Sequence, residues 1–153
     1  MALDIIDPNI RSCEMDPYGM EWRAAKDPRR IKVPSPGVIL RRGFHPNVLI
    51  IGSPNVSGAA IAELLPHLRH PLVVWDTGIG GGCPSIAQGT LVLLNLERLD
   101  RSEQRQLLDF TDASRRLVQI VSVATTDLFG RVERGEFLDA LYYRLNTVRL
   151  HVT

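Results

Sequence analysis

Apolar residues in this chain fall into short runs that alternate with helical patterns. Val48-Leu49-Ile50-Ile51 is continuously apolar, as expected for a strand buried on both faces, and a helical pattern over 59–68 follows it. Further apolar runs predict strands over 71–75 and 90–94. Such strand–helix alternation is typical of a parallel sheet covered by helices.

The second half of the chain continues the same pattern. Asp100 and Glu103 have the spacing of a capping box, which predicts a helix from there through about Phe110. A strand over 117–124 and an alternating edge strand over 147–152 complete the set. We therefore predict an α/β fold with three α/β/α layers and a mostly parallel five-stranded sheet.

A patterned segment covers residues 135–146. Phe137, Leu141 and Leu145 recur every four residues, so the segment predicts an amphipathic helix with one apolar face. Arg144 lies off that face. The pattern therefore predicts a helix that presents an arginine.

The chain divides near residue 37. Residues 1–36 hold five of the ten prolines and three Asp-Pro pairs, which oppose a long helix. We interpret them as an extended or partly ordered arm before a core over 37–153, with a loose tail as the alternative. Tyr18, Met20 and Trp22 favour an arm that packs on a body or a partner.

Composition narrows the class of protein. A chain of 153 residues suits one soluble domain, and a net charge of +1 gives no electrostatic case for nucleic acid or membrane as a partner. Cys13 and Cys83 suit two free thiols in a reducing compartment, so we expect a cytoplasmic protein. Lys26 and Lys32 are the only lysines.

Three segments carry a family resemblance: Ala87-Gln-Gly89-Thr90-Leu91, Ala124-Thr125-Thr126-Asp127-Leu128, and residues 135–146. Together they resemble the AAA+ core of the bacterial enhancer-binding proteins that activate sigma-54 RNA polymerase, over roughly residues 47–152. The resemblance implies a P-loop NTPase fold, ATP with Mg²⁺, and an arginine that reaches the nucleotide of a neighbouring subunit. The chain ends at Thr153, before the family's helical lid, so a core without that lid is expected.

The turn after the first strand departs from the family's phosphate-binding loop. That loop, Gly-x-x-x-x-Gly-Lys-Ser/Thr, wraps phosphates with backbone N–H groups and holds them with its lysine. Here Ser57, Gly58 and Ala59 stand at the second glycine, lysine and hydroxyl positions, and no lysine follows position 32. The positions that correspond to nucleotide contacts are Gly52, Ser53, Asn55, Ser57, Gly58 and, after the fourth strand, Thr125.

The third strand departs as well. Where the family has the Asp and Glu that serve Mg²⁺ and the attacking water, this chain has Leu94 and Asn95. Glu97 lies two residues further on and is interpreted as a solvated loop charge. Thr125 matches the position that senses the terminal phosphate, and its alternative role is a helix cap near Asp127.

Two further departures concern partners. Only residues 71–89 separate the first helix from the third strand, so the family's sigma-54 contact loop is missing. Leu138 replaces the first of the family's two arginines, and Arg144 matches the second. A salt-bridged or solvated helix charge is the alternative for Arg144.

Three short patterns suggest other chemistry. Asp76-Thr77-Gly78 resembles the catalytic turn of retroviral-type aspartic proteases, although those proteases are nearly all-β. Glu63, His67 and His70 have spacings of a metal site, but Pro66 disturbs the helix and a surface histidine pair is favoured. Cys83 has no histidine marked out as its base.

The sequence thus predicts a catalytically inactive AAA+-like domain that acts as a regulatory interaction module in bacterial transcription or signalling. Its expected partner is a protein, either an active relative or a second copy through the family's ring interface. No cofactor or metal is expected. A regulator that still binds ATP or another nucleotide is the first alternative, and an aspartic protease is the remote one.

Overall fold

A computed structural model describes the backbone of residues 13–15 and 22–24, and residues 45–153 in full. In the first part, β1 (Cys13–Met15) pairs antiparallel with β2 (Trp22–Ala24). The predicted packing of the Tyr18, Met20 and Trp22 side chains and the boundary near residue 37 lie outside what the structure describes.

The main sheet has five strands. They are β3 (Val48–Ile51), β4 (Leu72–Asp76), β5 (Gly89–Leu94), β6 (Val118–Ala124) and β7 (Val148–His151). Their order across the sheet is β4-β5-β6-β3-β7, and every neighbouring pair is parallel. The predicted parallel α/β sheet is confirmed, including β7 as an edge strand.

The core has one layer on each face of this sheet. All residues of β3, β5 and β6 are buried, whereas the edge strands β4 and β7 are partly covered. Helix α1 (Pro54–Leu64) packs its apolar residues on one face. Helix α2 (Arg101–Ser114), with the short α3 (Phe129–Glu133) and α4 (Asp139–Leu145), covers the other face.

The first helix begins earlier than the sequence predicted. We expected it over 59–68, but α1 starts at Pro54 and ends at Leu64. Proline suits the first helical position because its ring fixes φ and its missing N–H would have had no partner there. A second proline, Pro66, lies in the 3₁₀ turn Leu65–His67 that follows, and the α-helix stops before it.

The segment over 135–146 is also shorter as a helix than predicted. Gly135 has φ +72°, which is a left-handed conformation, and α4 begins only at Asp139. The apolar positions Phe137, Leu141 and Leu145 are nevertheless all buried. The four-residue spacing therefore predicted which side chains enter the core, but not where the helix starts.

The predicted capping box at the start of α2 is confirmed. The Glu103 N–H donates to Asp100 Oδ1 at 2.8 Å, and the Asp100 N–H donates to Glu103 Oε2 at 2.9 Å. The helix then runs to Ser114, one turn beyond the predicted end at Phe110. No helix among the described residues is long and apolar enough to cross a membrane.

Gly89 is the tightest glycine position in the sheet. It has φ +113°, and an added Cβ would collide with the carbonyl oxygen of Pro71. Gly81, in the loop between β4 and β5, also has a positive φ of +99° but open space around it. Substitution at Gly81 therefore tests backbone strain alone, whereas substitution at Gly89 tests backbone strain together with a steric collision.

We predict that Gly89→Ala lowers the free energy of unfolding by about 2 kcal/mol more than Gly81→Ala. Both substitutions strain the backbone, but only alanine at position 89 meets neighbouring backbone atoms. Urea denaturation of the two variants measures the difference. Equal losses would show that the contact with Pro71 does not limit this position.

Candidate functional site

The candidate positions that follow strands gather at the carboxyl edge of the sheet, because all five strands are parallel. Gly52 follows β3, Asn95 follows β5 and Thr125 follows β6. β3 and β6 are neighbours, and the Gly52 N–H donates to the Ala124 carbonyl at 3.0 Å. In open parallel sheets, ligands bind outside this edge.

The predicted loop over Gly52–Gly58 is not a loop in the structure. Only Gly52 and Ser53 separate β3 from α1, and Ser53 is the extended N-cap residue. Asn55 is exposed in the first helical turn, whereas Ser57 and Gly58 are buried inside the helix. A side chain at position 52 would collide with Val152, because Val152 packs directly against Gly52.

At the end of β5, Leu94 and Asn95 have different environments. Leu94 is 4% exposed and belongs to the apolar core on the α1 face. Asn95 has the left-handed φ of +56°, and its side-chain amide donates to Asp76 Oδ1 at 2.7 Å. Neither position presents a carboxylate at the strand end.

The polar groups of the Asp76-Thr77-Gly78 turn form hydrogen bonds within the chain. Asp76 Oδ1 also accepts the Gly78 N–H at 2.8 Å, and the Thr77 hydroxyl donates to the Asn95 carbonyl at 2.6 Å. These contacts join the ends of β4 and β5. The turn lies in a parallel α/β sheet, not in the nearly all-β fold of the aspartic proteases, so that interpretation is wrong.

Glu97 and Thr125 form a contact that the sequence did not predict. The Thr125 hydroxyl donates to Glu97 Oε1 at 2.7 Å, although the two residues are 28 positions apart. Glu97 Oε2 is buried without a hydrogen-bond partner among the described residues. The expectation that Glu97 is a solvated loop charge, and that Thr125 caps near Asp127, is therefore corrected. Asp127 itself caps the Phe129 N–H at 3.0 Å.

Arg131 of α3 completes this cluster. Its guanidinium donates to the Glu97 carbonyl oxygen and lies 3.4 Å from Glu136 Oε2. Arg131 thereby holds the segment after β5 against α3. We refer to Glu97, Thr125 and Arg131 as the Glu97 cluster.

Arg144 lies at the opposite edge of the sheet. Its Nη2 is 2.7 Å from Asp112 Oδ1 on α2, and its backbone carbonyl accepts from the side-chain amide of Asn47, just before β3. The predicted position of Arg144 off the apolar face is confirmed. Within this chain Arg144 forms a salt bridge, as the alternative interpretation expected.

Glu63, His67 and His70, in and after the first helix, do not form a metal site. Among residues 45–153 no group of three His, Cys, Asp or Glu side chains could hold a metal ion. Glu63 and His67 are partly buried and His70 is exposed. Burial raises the pKa of Glu63 to about 7 and lowers the pKa of His67. Burial also raises the pKa of the Cys83 thiol, which opposes a nucleophilic role.

Comparison with known proteins places the chain in a family. Residues 42–153 match the family model described as the sigma-54 interaction domain. The chain belongs to the sigma-54 interaction domain family. No curated protein sequence matches the chain.

Two solved structures of NtrX from Brucella abortus share the fold of this sigma-54 interaction domain. The complex with ADP has a TM-score of 0.60 and 19% sequence identity, and it covers 75% of this chain and 34% of NtrX. The complex with ATP has a TM-score of 0.58 and 19% identity, and it covers 76% of this chain and 35% of NtrX. This chain thus spans about a third of the NtrX chains that it matches.

Sequence reasoning missed two residues that shape this sigma-54 interaction domain. Asp112, which binds Arg144, stands in a polar helix face with no distinguishing pattern. Arg131, which binds the Glu97 carbonyl, also lies outside the motifs. Neither contact has a local sequence signal, because the partners are more than 30 positions apart.

We predict that Glu63→Gln stabilises the protein near neutral pH. The folded state raises the pKa of Glu63 from 4.5 to about 7, so the unfolded chain releases its proton first as pH rises. The stability of the native protein should therefore fall between those two pKa values. After allowance for partial solvent screening, the variant should gain about 1 kcal/mol at pH 8 and nearly nothing at pH 4.

Chemical denaturation across pH 4–8 measures this effect, with Glu133→Gln on the exposed face of α3 as the control. The control should follow the wild-type stability at each pH. A gain from Glu63→Gln that is equal at all pH values would contradict the raised pKa as the cause.

Proposed function

We propose that this sigma-54 interaction domain is catalytically inactive and acts as a regulatory protein-interaction module in bacterial transcription or signalling. Members of the family are normally ATPases. The observation that carries the proposal is the end of β5, where Leu94 is packed in the core at the position that serves Mg²⁺ in the family. A buried leucine offers no oxygen to a hard cation.

The residues present do not fit ATP with Mg²⁺. Gly52 and Ser53 alone separate β3 from α1, and Val152 packs on Gly52. No lysine occurs after position 32 to pair with a terminal phosphate. Thr125, the position expected to sense that phosphate, already donates to the Glu97 carboxylate. A negative charge at this point opposes a phosphate.

The family and the exposed apolar side chains of the surface both favour a protein partner. Four large apolar side chains among the described residues are exposed: Ile79, Leu117, Phe129 and Tyr143. Exposed aromatic residues are common at protein interfaces. Phe129 and Tyr143 both contact the ring of Tyr142, so they form one aromatic surface on α3 and α4.

Residual nucleotide binding is the second candidate. The observation that favours it is the likeness to NtrX structures described as complexes with ADP and with ATP. The N-terminus of α1 remains at the place where a helix end attracts anions. A binding measurement separates the two functions.

We predict that ATP with Mg²⁺ leaves the melting temperature of this chain unchanged. A nucleotide present at a hundred times its dissociation constant would add about 2.7 kcal/mol of stability. Thermal melting with and without ATP and with ADP tests this, with NtrX from Brucella abortus as the positive control. A saturable rise in melting temperature would favour the nucleotide-binding regulator.

We also predict no ATP hydrolysis above background, because the family's lysine, aspartate and glutamate are all replaced. Phosphate release is measured with the purified wild type and with Glu97→Gln and Arg144→Gln. Turnover that persists through purification and disappears in either variant would contradict an inactive domain.

A pull-down with purified sigma-54 tests the partner. We expect no complex through the segment over 76–88, since it is too short to carry the family's contact loop. A complex that is lost when Ile79, the most exposed large apolar residue of that segment, is changed to Ser would contradict this expectation.

A further inference from the structure

A small cavity lies at the amino edge of the sheet, opposite the Glu97 cluster. Its volume is about 210 Å³, and two apolar residues of β6 are among those that line it. The polar residues around it are Asn47, Thr111, Arg115, Tyr143, Arg144 and Thr147. Its size suits a small ion rather than a nucleotide, since pockets for drug-sized ligands begin at about 300 Å³.

The charge around this cavity is unbalanced. Arg144 Nη2 and Arg115 Nη2 both contact the same atom, Asp112 Oδ1, at 2.7 Å and 3.2 Å. Two guanidinium groups therefore lie side by side and share one carboxylate. No acidic side chain among the described residues lines the cavity. Together, Arg115, Arg144 and Asp112 keep an excess of one positive charge.

The hydrogen-bonding groups around the cavity are mostly donors. Asn47 uses its amide oxygen to accept the Ile120 N–H and one amide hydrogen to bind the Arg144 carbonyl, which leaves its second amide hydrogen. The hydroxyl groups of the exposed residues Tyr143 and Thr147 can each donate a hydrogen bond. Thr111 donates to the Leu108 carbonyl at 2.7 Å and so offers only its oxygen. A donor-rich, positively charged cavity matches an oxyanion.

We propose that this cavity binds a small oxyanion, either a phosphate group or a dicarboxylate, between Arg115 and Arg144. Planar guanidinium groups pair with both kinds of anion through parallel N–H donors. All the ligand contacts come from one chain, so the site is complete in a monomer. It differs in this from the family's arginine, which reaches the nucleotide of a neighbouring subunit. Anion binding in this cavity does not depend on whether the domain is catalytically inactive.

Isothermal titration calorimetry on the full chain tests the site, with inorganic phosphate and malonate as separate probes. Sodium chloride at matched ionic strength is the reference for nonspecific screening. We expect saturable binding of at least one probe with one site per chain. Phosphate binding identifies the phosphoryl ligand and malonate binding identifies the dicarboxylate.

Arg115→Gln and Arg144→Gln should each weaken binding by about tenfold, because each removes one charge-assisted contact. Arg115 is 59% exposed, so its replacement leaves the fold intact and remains informative if Arg144→Gln does not fold. Arg105→Gln is the matched control, since Arg105 is exposed on the same helix and does not line the cavity. Heats that chloride reproduces, or binding that Arg115→Gln leaves unchanged, would overturn the proposal.

Discussion

Burial of the three central strands on both faces is the constraint on which the rest of the structure depends. β3, β5 and β6 lie side by side in parallel, and every residue in them is buried. Their backbone groups are satisfied by the ladder and most of their side chains are apolar, although the buried Ser122 hydroxyl in β6 has no hydrogen-bond partner among the described residues. The candidate site residues lie beyond the strand ends, and parallel pairing gathers those ends at two opposite edges.

At the carboxyl edge, the polar residues bind one another. Asn95 and Thr77 join the end of β5 to the end of β4, and Glu97 accepts from Thr125 beyond β6. Each contact satisfies a polar group that would otherwise need water or a ligand. These contacts join the strand ends and contribute to the stability of the sheet, whereas Glu97 Oε2 has no hydrogen-bond partner among the described residues.

The sequence predicted the elements better than the contacts between them. Continuous apolar runs identified the buried strands because period and composition report burial directly. The capping box at Asp100 was predictable since its two partners are three residues apart. Helix α1 was placed too late because glycine and serine inside its first turns resemble a loop. The contacts of Glu97 with Thr125 and of Arg144 with Asp112 join residues that are distant along the chain, and no local pattern encodes such pairs.

The arginines at the two edges of the sheet differ in their partners. At the carboxyl edge, Oε1 of Glu97 and the Arg131 guanidinium both have partners within the chain. At the amino edge, two arginines compete for a single oxygen of Asp112, and each is only partly neutralised. A net charge of +1 for the whole protein conceals this difference, because the sum ignores position. An anion is attracted to local potential rather than to net charge, so the two arginines beside Asp112 can attract one although the whole chain is nearly neutral.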